Sequence, residues 1–300
     1  MKNAYNKEPL QVIQGKNKEI SVFSTNGDNI DAVVVEDFGN EWLKFKDYSE
    51  EEIRSLAIMY FDILNDNIIN KNTYALDIGC GTGRWTKYLS GRIGFIEAVD
   101  PSNAVLAADH LLAEVDNVRI TKAAVETIPF DDETFDFAMS IGVLHHIPDT
   151  QKAMIDCVKK VKKGGYFYVY LYHNLEKRGK LFRAVFGISE GIRKVVCKFP
   201  PKLKRFSCDV LAITTYMPFV LTGRLAAAVG LKKLAAKIPL NDYQNKSFFI
   251  IRNDALDKYG TTLEQRFSEQ EVITLMRNSG LDQIVVSPGG PYYHAVGKKV

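Results

Sequence analysis

The stretch "YALDIGCGTGRW", residues 74–85, constrains the fold more than any other part of the chain. An apolar run ending near Asp77 passes into glycines at 79, 81 and 83, and then into a helical pattern from Arg84. A strand that turns through glycine into a helix opens a βαβ unit, which requires a parallel sheet with its ligand edge at the carboxyl ends of the strands. Glycine takes φ > 0 without strain and lets a ligand approach the backbone closely. The spacing is G-x-G-x-G, shorter than the G-x-G-x-x-G that cradles a pyrophosphate, and no G-K-[ST] follows to make a Walker loop.

The alternation continues downstream. Strand patterns "FIEAVD", "VRITKA", "FDFAMSIG" and "YFYVYLY" are interleaved with helical patterns. One of these is "SNAVLAADHLLAEV", and another is expected over 149–162 with Gly164-Gly165 as its stop. Upstream, Ser49 and Glu52 have capping-box spacing ahead of Ile53, Leu56, Ala57 and Tyr60. A second box, Ser268 and Glu271, opens "FSEQEVITLMRNSGL", and the strand patterns "QIVVSP" and "YYHAVGKK" close the chain. Residues 1–48 read as an arm containing a β-like stretch, "DAVVVEDF". Residues 49–300 read as one α/β domain, a Rossmann-like, seven-stranded, mostly parallel sheet with helices on both faces. A helical insertion at 174–246, expected to act as a lid, interrupts it.

Charge distribution bounds the partners. The net charge is only +3, yet between residues 177 and 205 there are ten Lys/Arg and a single acid, Glu190. Such a segment suits an anionic acceptor or peripheral contact with a membrane, with a solvated helical face as the plain alternative. Only Phe182, Phe186 and Phe199 interleave these cations, which argues against nucleic acid. The longest uncharged apolar run, 210–223, contains Pro218 and falls short of the roughly 20 residues a spanning helix needs, so it reads as a buried helix. The four cysteines lack C-x-x-C spacing, and residues 1–16 lack the apolar centre of a signal peptide. Both observations point to a reducing, cytoplasmic setting.

Asp100 stands 23 positions after Asp77, close to the roughly 20-residue offset at which a carboxylate meets ribose hydroxyls. A turn residue before Pro101 is the alternative.

Taken in order, "LDIGCGTGRW", "AVDPS", "VETIPFDDETFDFAMSIGVLHHI" and "VKKGGYFYVYLY" resemble the motifs of the class I S-adenosylmethionine-dependent methyltransferases. The resemblance covers about 73–173 and again 263–300, and it implies S-adenosylmethionine as cofactor. It would set Asp77 and the backbone of Gly79, Gly81 and Gly83 against the methionine portion, and Asp100 on the ribose with Ser102 beside it. Val125 and Glu126 would border the adenine, while Ser140 and Ile141 would approach the methionine carboxylate or amine. Many relatives carry an aspartate two residues before Glu126. Ala124 stands there in this chain, which leaves adenine recognition to main-chain groups.

His145 and His146 directly follow the fourth strand, and a histidine there has a suitable pKa for taking a proton from an oxygen or nitrogen acceptor. Packing beneath the loop, or capping the next helix, is the alternative for either. Metal-using methyltransferases of ubiquinone biosynthesis have Glu near this point. The equivalent positions here look like Gly142 and His145, so no metal is expected. Tyr172 and His173 are the next candidates to touch acceptor.

"VEDFGNEW", "SFFIIRNDALDKYGTTLEQRF" and "PYYHAVGKK" resemble a group of bacterial methyltransferase-domain proteins, some linked to surface carbohydrate. On that likeness Trp42, Arg252 and Asp254 are expected to close over the site. The implied activity is methyl transfer to a small molecule, at an oxygen of a sugar-like or lipid-linked acceptor. "SIGVLHHI" also resembles the wobble-uridine tRNA methyltransferases, and a non-catalytic S-adenosylmethionine-binding protein is a third reading.

Overall fold

The computed structural model describes residues 3–44, 48–174, 180–288 and 293–300. The chain divides into two compact units, Met1–Glu176 with Leu263–Val300, and Lys177–Thr262. In chain order the first unit contains β1 (Gln11–Gln14), β2 (Glu19–Val22), α1 (Ala32–Lys44), α2 (Glu50–Tyr60), β3 (Tyr74–Ile78) and α3 (Arg84–Ser90). It continues with β4 (Phe95–Asp100), α4 (Val105–Leu111), β5 (Val118–Lys122), β6 (Phe135–Ile141), α5 (Thr150–Lys159) and β7 (Val161–Leu171). The second unit holds α6 (Lys180–Val196), α7 (Pro201–Leu211), α8 (Met217–Ala228), α9 (Lys232–Ala235) and α10 (Phe248–Gly260). The first unit then resumes with α11 (Glu269–Asn278), β8 (Leu281–Val286) and β9 (Tyr293–Lys299).

Nine strands of the described residues form one sheet in the order β1-β2-β5-β4-β3-β6-β7-β9-β8. Strands β3 to β7 are mutually parallel, and β9 runs antiparallel between β7 and β8. The expected seven strands are β3 to β9. The additional hairpin, β1 with β2, comes from the segment read as an arm, where the strands are too short to show a clear alternation. It joins because β2 pairs parallel with β5, Ile20 opposite Ile120, and buries Ile20 and Val22. The buried Asp109 of α4 clasps its turn, accepting from the backbone amides of Lys16 at 2.7 Å and Lys18 at 2.6 Å.

"DAVVVEDF" is not a strand but the start of α1. The Asp31 carboxylate accepts from the amides of Val33 and Val34 at 3.0 and 3.1 Å, as a helix N-cap does. Val34, Phe38 and Trp42 then recur at helical spacing, so packing overrides the β preference of the branched residues. Both expected capping boxes form, Ser49 with Glu52 and Ser268 with Glu271. The helix after Asp149 ends earlier than expected, at Lys159. Gly164-Gly165 is no helix stop: it lies within β7, where the register against β6 slips between Phe135 and Phe137. A Cβ on Gly165 would stand 2.6 Å from the Asp136 carbonyl oxygen, so the close strand approach requires glycine.

Alternate strand residues feed two cores, one on each face of the sheet. Leu76, Ile78, Phe167 and Val169 enter one, and Ala75, Met139, Tyr168 and Tyr170 enter the other.

In the second unit, Cys208, Ala212, Tyr216 and Val220 pack with Ile251, Ala255 and Tyr259 of α10. This unit therefore extends to 262, past the 246 read from the pattern. Pro201–Ala228 runs as one helix through a π turn at Ala212–Tyr216. The 210–223 run is buried on one face only: Ala212, Tyr216 and Val220 are inside, whereas Val210, Ile213, Phe219 and Leu221 are exposed. Among the described residues this one helix is long and apolar enough, by length and composition, to cross a membrane. Residues 177–179 of the basic stretch, and Pro291 and Tyr292 of the terminal motif, lie outside the described residues.

Candidate active site

The glycine loop leaves β3 and folds back over β4, with the amides of Gly79 and Cys80 both donating to the Val99 carbonyl at 2.7 and 3.0 Å. The glycines at 79, 81 and 83 have φ of +76°, +54° and +78°. A Cβ on Gly79 would stand 2.4 Å from Cγ2 of Val143, which leads from β6 toward the histidine pair. Gly81 is open by comparison, its nearest neighbour being Nε1 of Trp42 at 3.6 Å from the Cβ position.

Asp77 is buried at the end of β3 and accepts from the Thr86 hydroxyl at 2.6 Å. Burial pushes its carboxyl up to about 7; the Thr86 hydrogen bond opposes that rise and the nearby Asp100 charge adds to it. One oxygen of Asp100 accepts from the Gly81 amide at 2.9 Å, the other from the Ser102 amide at 2.9 Å and hydroxyl at 2.6 Å. Asp100 thus ties the glycine loop to the turn after β4, while the oxygen that accepts from Gly81 keeps a spare lone pair. The hydroxyl of Thr82, in the same loop, is buried and has no protein partner.

The other expected residues have varied surroundings. Val125 packs against the core, and Glu126 binds Lys152 at 2.6 Å, a contact that holds its carboxyl below the usual range. The Ser140 hydroxyl donates to the Ile78 carbonyl at 3.1 Å, joining β6 to β3, and Ile141 is buried next to it. The Ala124 amide donates to the Ser24 carbonyl at 3.3 Å.

The two histidines differ. His145 is fully buried with no protein partner on either ring nitrogen, and it stacks on Tyr172 with centroids 3.9 Å apart. Burial first, then the charges of His146 and Arg266, keeps its pKa well below the ordinary histidine value, so this ring stays neutral. His146 Nδ1 donates to the Leu263 carbonyl at 2.7 Å, which places the ring's lone pair on Nε2. Its ring lies 4.9 Å from Phe38 of α1. Tyr172 also lies beneath the Arg266 guanidinium at 5.1 Å, and the His173 carbonyl accepts from Arg266 at 3.2 Å.

Of helix α1 only Trp42 was expected at this edge, and not as part of a helix. Trp42 reaches Gly81, Phe38 reaches His146, and a Cβ on Gly39 would stand 3.0 Å from Cβ of Ser102. Arg84 lies over Trp42 at 5.2 Å and over Tyr48 at 5.3 Å, and donates to the Tyr48 hydroxyl at 3.0 Å. The signal for α1 was available in Asp31 and the four-residue spacing of Val34, Phe38 and Trp42. Arg252 and Asp254 belong to the second unit: Arg252 makes a two-point pair with Asp209 at 2.8 and 2.6 Å, and Asp254 accepts from the Tyr243 hydroxyl.

Residues 76–169 match the family described as a methyltransferase domain. Human N-acetylserotonin methyltransferase, solved with S-adenosylmethionine, shares the fold with a TM-score of 0.50 at 13% identity over 87% of this chain and 56% of that one. This chain carries a class I S-adenosylmethionine-dependent methyltransferase domain. Within that methyltransferase domain fall the glycine loop, Asp100 and both histidines. A demethylmenaquinone methyltransferase of Staphylococcus aureus is 33% identical over 108 residues, 34% of this chain and 44% of the relative. The chain thus spans less than half the length of the curated relatives it matches.

Proposed function

We propose that this chain transfers a methyl group from S-adenosylmethionine to an oxygen of a small, lipid-linked acceptor. The residues present fit the cofactor. Gly81 offers bare backbone, the Thr82 hydroxyl is buried without a protein partner, and Asp100 brings a carboxylate to the same edge of the sheet. When bound, the cofactor supplies an electrophilic methyl on a sulfonium centre. The chain's task is to hold the acceptor in line, worth roughly 7–11 kcal/mol in favourable cases, and to accept its proton.

The observation that carries this reading is His146, whose Nδ1 is held by the Leu263 carbonyl at the ligand edge of β6. A histidine so anchored presents Nε2 as the basic atom, whereas the neutral, buried His145 serves as its packing partner, with ring centroids 4.2 Å apart. The surrounding rings, Phe38, Tyr170 and Tyr172, favour a flat apolar acceptor over a sugar. The substrate class in the name of the S. aureus relative agrees with that choice. The four cysteines are buried and none is joined to another by a disulfide, in keeping with a cytoplasmic setting.

Calorimetry with S-adenosylmethionine should give saturable binding by the wild-type chain. Asp100→Ala should weaken it at least tenfold, about 1.4 kcal/mol, and a folded wild-type chain that shows no binding overturns the reading. With a short-chain naphthohydroquinone as acceptor and its methyl ether as the product measured, His146→Ala should slow turnover by roughly 10²–10⁴ while leaving cofactor affinity unchanged. His145→Phe should cost far less, because it replaces one buried ring with another. Normal turnover by His146→Ala would remove the histidine base from the scheme.

A further inference from the structure

The helix Pro201–Ala228 of the second unit carries apolar residues on two opposite faces. One face enters the unit's own core through Cys208, Ala212, Tyr216 and Val220. The other presents Leu203, Phe206, Val210, Ile213, Leu221 and Leu225 to the outside, with Phe206 65% and Leu225 66% exposed. Spacings of three and four run from Leu203 to Ile213, and the eight residues to Leu221 include the π turn, whose extra residue keeps Leu221 and Leu225 in line with Phe206. The result is a stripe about 33 Å long at 1.5 Å per residue, far more apolar than a solvated helix face needs to be.

Positive charge brackets the stripe. Lys194, Lys198 and Lys202 precede it, Lys232, Lys233 and Lys237 follow it, and all six are exposed. The exposed Leu231 and Leu234 continue the apolar character among the second group. Beside the first lysine group and the start of the stripe, Glu190 pairs with Arg193 and Asp209 with Arg252.

We propose that this face docks on an anionic membrane surface, with the stripe seated at the headgroup–acyl boundary and the lysines on the lipid phosphates. The charge pattern selects this occupant. A second copy laid along the stripe, parallel or antiparallel, would bring lysine clusters against lysine clusters, whereas an anionic bilayer complements both ends at once. A helix crossing the bilayer would carry the Asp209–Arg252 ion pair and the buried Lys204 into hydrocarbon along its inner face.

The test uses the full chain without cofactor or acceptor, so its outcome is independent of the methyl-transfer reading. In flotation assays, vesicles of phosphatidylcholine with about 30% phosphatidylglycerol should bind the protein at least tenfold better than pure phosphatidylcholine, and about 0.5 M salt should weaken that binding severalfold. Phe206→Ser with Leu225→Ser should lower vesicle partitioning at least about tenfold without changing the melting temperature, since both side chains are exposed. Lys198→Glu with Lys202→Glu should abolish the preference for anionic lipid. Equal binding to both vesicle types, or unchanged binding by the serine variant, overturns the proposal. So does protein that only detergent releases, which would make 201–228 a spanning segment. A dimer that the serine substitutions dissociate while vesicle binding persists would overturn it in favour of a second copy.

Discussion

Between about pH 4 and pH 8, Asp77→Asn should remove up to about 4 kcal/mol of pH-dependent destabilisation from this protein. The Asp77 carboxyl is held at about 7 in the folded chain, chiefly by burial, against an ordinary value of 3.8. A carboxyl raised on folding contributes stability that is fully present below the unfolded value, because both states are then protonated. As pH rises through the window between 3.8 and about 7, the unfolded chain ionises first and the folded state loses ground. Above that window the loss is complete, at about 1.4 kcal/mol for each pH unit of difference. The asparagine cannot ionise, and its Oδ1 can still accept from Thr86, whose hydroxyl lies 2.6 Å from Asp77 Oδ2. Urea titrations at several pH values, taken as the difference between variant and wild type, isolate the effect. The subtraction matters because burial lowers His294 to about 4, and that side chain destabilises in the opposite direction, as pH falls. A variant whose stability runs parallel to wild type across the window would mean that Asp77 is not buried as a raised acid.

Gly79→Ala should cost on the order of 3 kcal/mol of stability and abolish measurable cofactor binding. Two separate penalties add here. An L-residue at φ +76° is strained, and its Cβ would lie 2.4 and 2.9 Å from the two methyl carbons of Val143. Val143 is β-branched and stiff, so it cannot swing aside as a long side chain would. The double variant Gly79→Ala, Val143→Ala should recover the overlap part, about 1–3 kcal/mol, and leave the φ part. Gly91→Ala is the control, since Gly91 has φ −65° and nothing within 4 Å of its Cβ position. Thermal melts and calorimetry on the three variants decide it. A Gly79→Ala protein that melts and binds as wild type does would show that the loop adopts another conformation.

The parallel centre of the fold was legible because its strands are largely buried and three of them, β3, β4 and β6, end in or run into glycine or aspartate at the ligand edge. Asp77 and Asp100 stand at the ends of β3 and β4, and the histidine pair follows β6, all at the carboxyl edge of the sheet. What escaped the sequence had competing local signals. In α1 the branched run of Val33, Val34 and Val35 favours a strand, and only packing of its Phe38 and Trp42 settles a helix. Strands β1 and β2 are four residues each, too short for a period to show. The 210–223 run looked like simple core because an apolar count does not distinguish one buried face from two.

Helix α1 also bears on which part of the chain can be separated from the rest. It meets Gly81, Ser102 and His146, which belong to loops after three different strands. Asn29 adds a fourth tie, its side chain bonding the Asp149 backbone in both directions at 2.8 and 2.7 Å across 120 residues of chain. Contacts of such long range form late, after the intervening strands have paired. The family-matched span 76–169 is therefore not a portable module. Excised from residues 3–44, it would keep the sheet's centre and lose the helix that meets three of its ligand-edge loops.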